Sequence, residues 1–360
     1  MGKGHYIIPI FVPHHGCPHD CVFCNQKRIT GHTEEITGEM VEDQIRQFLK
    51  TIEPNPEKTV EVAFYGGSFT GIDAHHQEQL LAAAFQWKQK GMIQEIRLST
   101  RPDYIDESVL RRLTSFGVNI VELGVQSMVP DVLKASCRGH TPKDVINAVK
   151  MIKAWGIRIG LQMMIGLPGD SFDQCMYTAD QIIELSPDFV RIYPTLVIKD
   201  TDLEVLYRKG FYEPLTLEQA LQYAETLVLK FLKFDIPIIR LGLQPTEDVT
   251  LGKAVIAGPI HPAFRQLVES RIYRHMLEII FQTRGQIIHR ALLEIQGNDR
   301  DISPLVGHKR SNLVELQKTF EIKGIKITRN NELSKGTIRI IVNEKERILY
   351  SMKDYAFNTV

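Results

Sequence analysis

Excess charge of either sign is missing from this chain: 43 Lys and Arg stand against 43 Asp and Glu in 360 residues. Composition alone therefore excludes a whole-chain electrostatic footprint for nucleic acid or an anionic membrane. Long apolar runs are missing too. The opening stretch MGKGHYIIPIFVPHHG is interrupted by Pro9 and Pro13, too short for a signal-peptide core or a membrane span, and it lacks the Ser or Thr of a myristoylation signal. A cytoplasmic protein with no membrane partner is expected. There are no repeats and no low-complexity tracts. Cysteine is scarce, with five in all, and its distribution excludes a disulfide framework: Cys17, Cys21 and Cys24 cluster, while Cys137 and Cys175 stand alone.

Hydrophobic residues make up 43% and charged residues 24% of a chain long enough to bury a sizeable core. Over the first 200 residues, strand-like stretches alternate with helix-like ones. The strand candidates are HYIIPIFV, VEVAFYGG, EIRLST, VNIVELGV, IRIGLQMMIG and DFVRIYPTLV. Several read as nearly continuous apolar runs, the pattern of strands buried on both faces of a parallel sheet. The intervening helices have legible ends. TPKDVINAVKMIKAWG offers Thr141 as N-cap, Pro142 at the first helical position, Asp144 in the first turn and Gly156 past the end. DAHHQEQLLAAAFQWKQKG starts at Asp73 and stops at Gly91 in the same way. Six βα units predict an α/β domain shaped as a partial, open barrel over residues 1–200, with its chemistry at the C-terminal ends of the strands.

After Asp200 the pattern changes. Residues 201–285 read as an α+β extension containing the helices TLEQALQYAETLVLKFLKF and HPAFRQLVESRIYRHMLEII, with Leu217, Leu221, Ala224, Val228 and Phe231 on one side of the first. Residues 286–360 read as a small αβ segment with IKITR and TIRIIV around SNLVELQKTF.

The three clustered cysteines have the spacing C-x3-C-x2-C and follow directly on the first strand candidate. Three thiolates on a four-iron cubane leave one iron without a protein ligand, open to a small molecule that binds inner-sphere. Structural zinc, with His14, His15, His19 or His32 as fourth ligand, is the alternative that spacing leaves open.

C-x3-C-x2-C with Phe23 before the last cysteine resembles the signature of the radical S-adenosylmethionine (SAM) enzymes. That resemblance implies a partial (β/α)6 barrel, a 4Fe-4S cluster on Cys17, Cys21 and Cys24, and S-adenosyl-L-methionine cleaved to a 5′-deoxyadenosyl radical. Further segments are similar to the superfamily's cofactor motifs. FYGGSFTG implies backbone contact from Gly66, Gly67 and Ser68 to the methionine amino group. LSTRPDYI implies a ribose contact from Ser99, and ELGVQS a polar contact from Gln126. CRGHT supplies Arg138 for the carboxylate, and GLQMMIGLPGDS supplies Gln162 near the ribose. The wording TRPDY, VELGVQS, RGHT, GLPGD and RIYPTLVI resembles the radical SAM domains of the Elongator catalytic subunit over about residues 5 to 200. Those relatives modify wobble uridines in tRNA. They also carry an acetyltransferase domain, whose R-x-x-G-x-G/A loop this chain lacks.

The resemblance implies tRNA or another RNA as substrate, and an external electron donor such as flavodoxin or ferredoxin. LVGHKRSNLVELQKTFEIKGIKITR is similar in order to the region around the nucleotide-clamping G-x-x-G loop of KH domains, but Arg310 stands where the second glycine belongs. Residues 301 to 360 hold eleven Lys and Arg against seven Asp and Glu, a mild basic excess. Three other readings stay open: a radical SAM enzyme on a small molecule such as a porphyrinogen, a non-catalytic zinc/RNA-binding module, and a sensor that retains the cluster without turnover.

Overall fold

Each predicted strand of the first 200 residues forms, and successive strands lie side by side. The computed structural model describes residues 4–12, 21–25, 35–52, 58–243 and 250–359. Among these, β1 (His5–Val12), β2 (Thr59–Gly66), β3 (Glu95–Thr100), β4 (Ile120–Gln126), β5 (Arg158–Ile165) and β6 (Phe189–Pro194) join in the order β1-β2-β3-β4-β5-β6, every pair parallel. Parallel neighbours require crossovers. The helices α1 (Gly38–Thr51), α2 (Ala74–Gln89), α3 (Glu107–Ser115), α4 (Pro130–Ala135), α5 (Pro142–Ala154) and α6 (Phe172–Glu184) lie in those crossovers. The result is an α/β half-barrel of the expected kind. A seventh strand, β8 (Ile238–Leu241), extends the sheet beyond β6. Before it come the short β7 (Val197–Ile198) and α7 (Asp202–Arg208), and β7 pairs antiparallel with β9 (Val255–Ala257).

Local sequence sets the helix ends. Thr141 caps α5 and Asp144 returns the bond to its backbone, a reciprocal capping box, with Pro142 at the first turn. Asp73 caps α2 by accepting from the amides of His75 and His76.

The central strands are buried on both faces, as expected, but one face is wholly apolar and the other mixes apolar with charged residues. Val60, Val62 and Phe64 on β2, Ile96 and Leu98 on β3, and Val121, Leu123 and Val125 on β4 form the apolar side. The alternate positions carry Glu61, Arg97, Glu122, Gln162 and Arg191, which meet one another across β2 to β6. The period is two, and on this inner face the charges are interspersed with Ala63, Ile120 and Phe189.

The chain divides into two compact units. The first comprises Met1–Thr216, Ile238–Arg240 and Gln244–Ile260; the second comprises Leu217–Pro237, Leu241–Leu243 and His261–Val360. In the second unit lie α8 (Leu217–Lys233), α9 (Phe264–Thr283) and α10 (Gly285–Ile288), then a four-stranded sheet ordered β11-β10-β12-β13. Its strands are β10 (Leu292–Gly297), β11 (Gly324–Arg329), β12 (Thr337–Val342) and β13 (Glu346–Ser351). Two helices, α11 (Ile302–Val306) and α12 (Ser311–Thr319), fall between β10 and β11, and α13 (Met352–Thr359) ends the unit. The buried side of α8 runs through Ala220, Leu221, Ala224, Leu227 and Phe231. Leu217 and Val228, expected on that side, are only half-buried.

Candidate active site

Residues 21–25 carry two of the three clustered cysteines, and Cys17 lies outside the described residues. The Cys21 carbonyl accepts from the Cys24 amide at 2.9 Å, closing a tight turn. Two further backbone bonds hold that turn down: Val22 donates to the Ser136 carbonyl at 3.2 Å, and Leu203 donates to the Val22 carbonyl at 2.8 Å. The Asn25 amide donates to the carbonyls of Lys199 and Asp200. Val22 is buried with Val197, Leu203 and Tyr212, and Phe23 packs against the same cluster. The aromatic before Cys24 therefore has a packing role.

The glycine-rich segment at the end of β2 is shaped by close approach to β1. Gly66 has φ +107°, and a Cβ there would sit 2.4 Å from the Val12 carbonyl oxygen. The Gly67 amide donates to that same oxygen at 3.0 Å. Only glycine accommodates both the dihedral and the contact. Ser68 is buried and its carbonyl accepts from Gly71.

At the ends of β3 and β4 the surroundings are polar and closed. Ser99 Oγ, Gln126 Oε1 and Arg138 Nε are sealed from solvent and have no hydrogen-bond partner among the described residues. Gln126 also sits at φ +67°, a conformation non-glycine residues adopt at a cost of about 1–3 kcal/mol. Buried polar atoms ordinarily find partners. Three such atoms, a hydroxyl, an amide oxygen and a guanidinium N–H, are left without partners among the described residues at these strand ends.

Arg138 reaches this place through the absence of a side chain. Its Nη2 donates to the Gly124 carbonyl at 2.7 Å, and a Cβ on Gly124 would lie 2.8 Å from that nitrogen. Its Nη1 donates to Cys21 Sγ at 3.5 Å. Two residues on, His140 is buried, with Nε2 against the Val125 carbonyl and Nδ1 without a partner among the described residues. Burial, reinforced by the charges of Arg138 and Arg101 and opposed by Asp103, lowers its pKa to about 3. The imidazole is neutral at physiological pH.

Gln162 projects onto the charged inner face, where its amide donates to Glu122 Oε2 at 2.7 Å. Sequence reasoning passed over the network it joins. Arg97 binds Glu61 and Glu122, Arg191 binds Glu122 at 2.7 and 2.9 Å, and Arg191 Nη2 donates to the Tyr65 hydroxyl at 3.2 Å. Two carboxylates and two guanidiniums balance in a site where both carboxylates are fully buried. Burial raises the Glu61 pKa against the opposing pull of Arg97 and His5. The available signal was one charged or amide residue recurring in the middle of five successive apolar strands.

Other candidates sort differently. His5, Glu61 and Glu95 converge at the start of β1 to β3, but Glu61 is paired with Arg97 and Glu95 with Arg158. His76 ties α2 to Glu35 and the Ile36 carbonyl. Cys175 is buried and donates to Asp170 Oδ2 at 2.9 Å, while Cys137 is exposed. Among the described residues no helix is long and apolar enough to cross a membrane.

Residues 11–182 match the family described as the Radical SAM superfamily, and residues 187–274 match the Radical_SAM C-terminal domain. The chain is similar to an uncharacterized protein of Methanocaldococcus jannaschii, 30% identical over 243 residues, covering 65% of this chain and 73% of that one. It is also similar to the tRNA uridine(34) acetyltransferase of Methanocaldococcus infernus, 26% identical over 263 residues, 60% of this chain and 48% of the relative. The chain spans about half the length of the Methanocaldococcus acetyltransferases it matches. The structure of archaeal Methanocaldococcus infernus Elp3 with an N-terminal deletion shares the fold at a TM-score of 0.58 and 22% identity, over 77% of this chain and 63% of that chain.

Proposed function

The chain belongs to the radical SAM superfamily, and on that premise we propose that it carries a 4Fe-4S cluster on Cys17, Cys21 and Cys24, binds S-adenosyl-L-methionine at the strand ends and modifies tRNA or another RNA. The observation that carries this reading is the trio of sealed, unpaired atoms on Ser99, Gln126 and Arg138, the last of which also donates to Cys21 in the Cys21–Cys24 turn. SAM offers matching chemistry, with donors in its amino and ribose hydroxyl groups and acceptors in its carboxylate. When bound, the cluster and SAM supply a 5′-deoxyadenosyl radical that takes hydrogen from substrate.

The chain's own residues have defined tasks. With the Gly67 amide held by Val12, the segment Gly66, Gly67 and Ser68 is left to meet the methionine amino group through its backbone carbonyls. Ser99 and Gln126 accept, and Arg138 donates. Gln162, fixed by Glu122, orients what reaches the inner face, and the apolar side of the sheet excludes water behind it. A flavodoxin or ferredoxin outside the chain supplies the electron.

RNA is favoured by the relatives named for tRNA uridine(34) and by the turn between α11 and α12. Gly307 has φ +75°, Lys309 +49° and Arg310 +65°, and His308, Lys309 and Arg310 are exposed together. Cations so presented suit phosphate. The test is anaerobic purification followed by identification of bound nucleic acid, with tRNA binding compared between the parent and K309E/R310E. Bound tRNA, and affinity reduced about tenfold or more in the double variant with a shallower salt slope, supports the reading. Equal binding by both would remove the turn from the account. A copurifying metabolite without RNA would favour the small-molecule reading.

A further inference from the structure

We infer that Arg138 sets the reduction potential of the cluster through its hydrogen bond to Cys21, in addition to facing the cofactor. This rests on the cluster reading above and deepens it. Three features fix the guanidinium at the thiol. The Arg138 amide donates to the Leu133 carbonyl and Cys137 stands at φ +50°, so the chain turns abruptly just before the arginine. Nη2 is held by the Gly124 carbonyl, at a spot that only a residue without a side chain leaves open. Finally, the loop bearing Cys21 is bonded to this same turn, because Val22 donates to Ser136. The thiol and the guanidinium are thus tied together by backbone, and their 3.5 Å contact follows from how the two loops dock.

The consequence is electrostatic. Arg138 is 7% exposed, and arginine keeps its charge at any pH a protein survives. Reduction adds one electron to a cluster, and the thiolate ligands carry part of that negative charge. A buried guanidinium that donates to one of them stabilises the reduced state more than the oxidised state, and so raises the potential. Hydrogen bonds to cluster sulfurs are an established lever of this kind. A role confined to gripping a carboxylate would leave the potential of the cofactor-free protein unmoved.

The experiment is an EPR-monitored redox titration of the anaerobically reconstituted full chain without SAM, for the parent and for R138Q, R138K and G124A. R138Q is expected to titrate at lower potential, with the reduced-to-oxidised ratio at a fixed potential down about tenfold, a shift of about 59 mV for one electron. R138K, which keeps a cation but not the fork, is expected to recover part of the shift. G124A, whose methyl displaces Nη2, is expected to move the same way as R138Q while leaving Arg138 in the sequence, so the test survives if R138Q fails to fold. Unchanged potentials in G124A and in iron-replete R138Q overturn the inference while leaving the cluster reading intact. A parent chain that assembles no cluster overturns both.

Discussion

At the scale of single residues, the cysteines divide by surroundings. Cys21 and Cys24 sit in a turn bonded to two other loops, whereas Cys175 is a buried thiol donating to Asp170. Burial and the neighbouring carboxylate push the Cys175 thiol well above its usual range, which keeps it from serving as a thiolate ligand. Iron analysis after reconstitution should therefore show C21A and C24A nearly iron-free and C175A unchanged. His140 gives a second residue-level outcome. Its native pKa is lowered to about 3 from an ordinary 6.5, so below pH 6.5 the unfolded chain takes up a proton that the native chain refuses. Stability is then lost as pH falls through that window, by about 2 kcal/mol at pH 5. Denaturation followed between pH 7 and 5 should show H140Q losing less stability than the parent. A parallel decline in both would mean that the imidazole is protonated in the native state. The positions of Ser99 on β3 and Gln126 at the end of β4 were legible in the sequence, whereas Arg138 follows α4 and comes back to the end of β4 through its bond to the Gly124 carbonyl. The Cys21 contact of Arg138 was not legible, because it depends on two loops docking 117 positions apart.

At the scale of elements, helix and strand positions followed from capping residues and turn glycines. Thr141, Asp73, Gly91 and Gly156 end or begin helices where the sequence reading put them. Residues whose strand status depends on partners were harder. LLEIQG (β10) and ERILYS (β13) become strands by pairing with β12, and the turn before β13, with Asn343 at φ +47° and Glu344 at φ +62°, has one asparagine as its only sequence signal. The polar inner face was missed for a related reason. A single charge within an apolar strand looks incidental until register sets Glu122 beside Ser99 on β3 and Gln162 beside Arg191 on β6. The end of β2 has the tightest steric requirement in the site. G66A places a methyl against the Val12 carbonyl at φ +107°, and its thermal unfolding should indicate a loss of at least about 2 kcal/mol. A variant as stable as the parent would show that the β1–β2 ends can part without cost.

At the scale of the whole chain, the α/β half-barrel supplies the scaffold and carries a network of buried charges across its strands. Glu122 joins Arg97, Arg191 and Gln162, so three strands flanking or following β4 converge on one carboxylate. Buried ion pairs are weak evidence of net stability, but breaking one strands the partner charge. E122A should destabilise the fold by about 3–5 kcal/mol in urea unfolding, whereas the simultaneous loss of Glu122 and Arg191 should cost less than the two single changes summed. Additive effects would show that the network is not coupled. The division into two units, by contrast, depends on which segments return to the sheet, and β8 does so after α8 has begun the second unit. Composition carries no trace of that.

The central claim is a three-thiolate cluster beside a cofactor surface, and the most direct measurement is chromatographic assay of 5′-deoxyadenosine from the anaerobically reconstituted chain given SAM and dithionite. Time-dependent 5′-deoxyadenosine, abolished in C21A, is the result predicted. A chain that holds stoichiometric zinc, or that holds iron but leaves SAM intact under reduction, would contradict it.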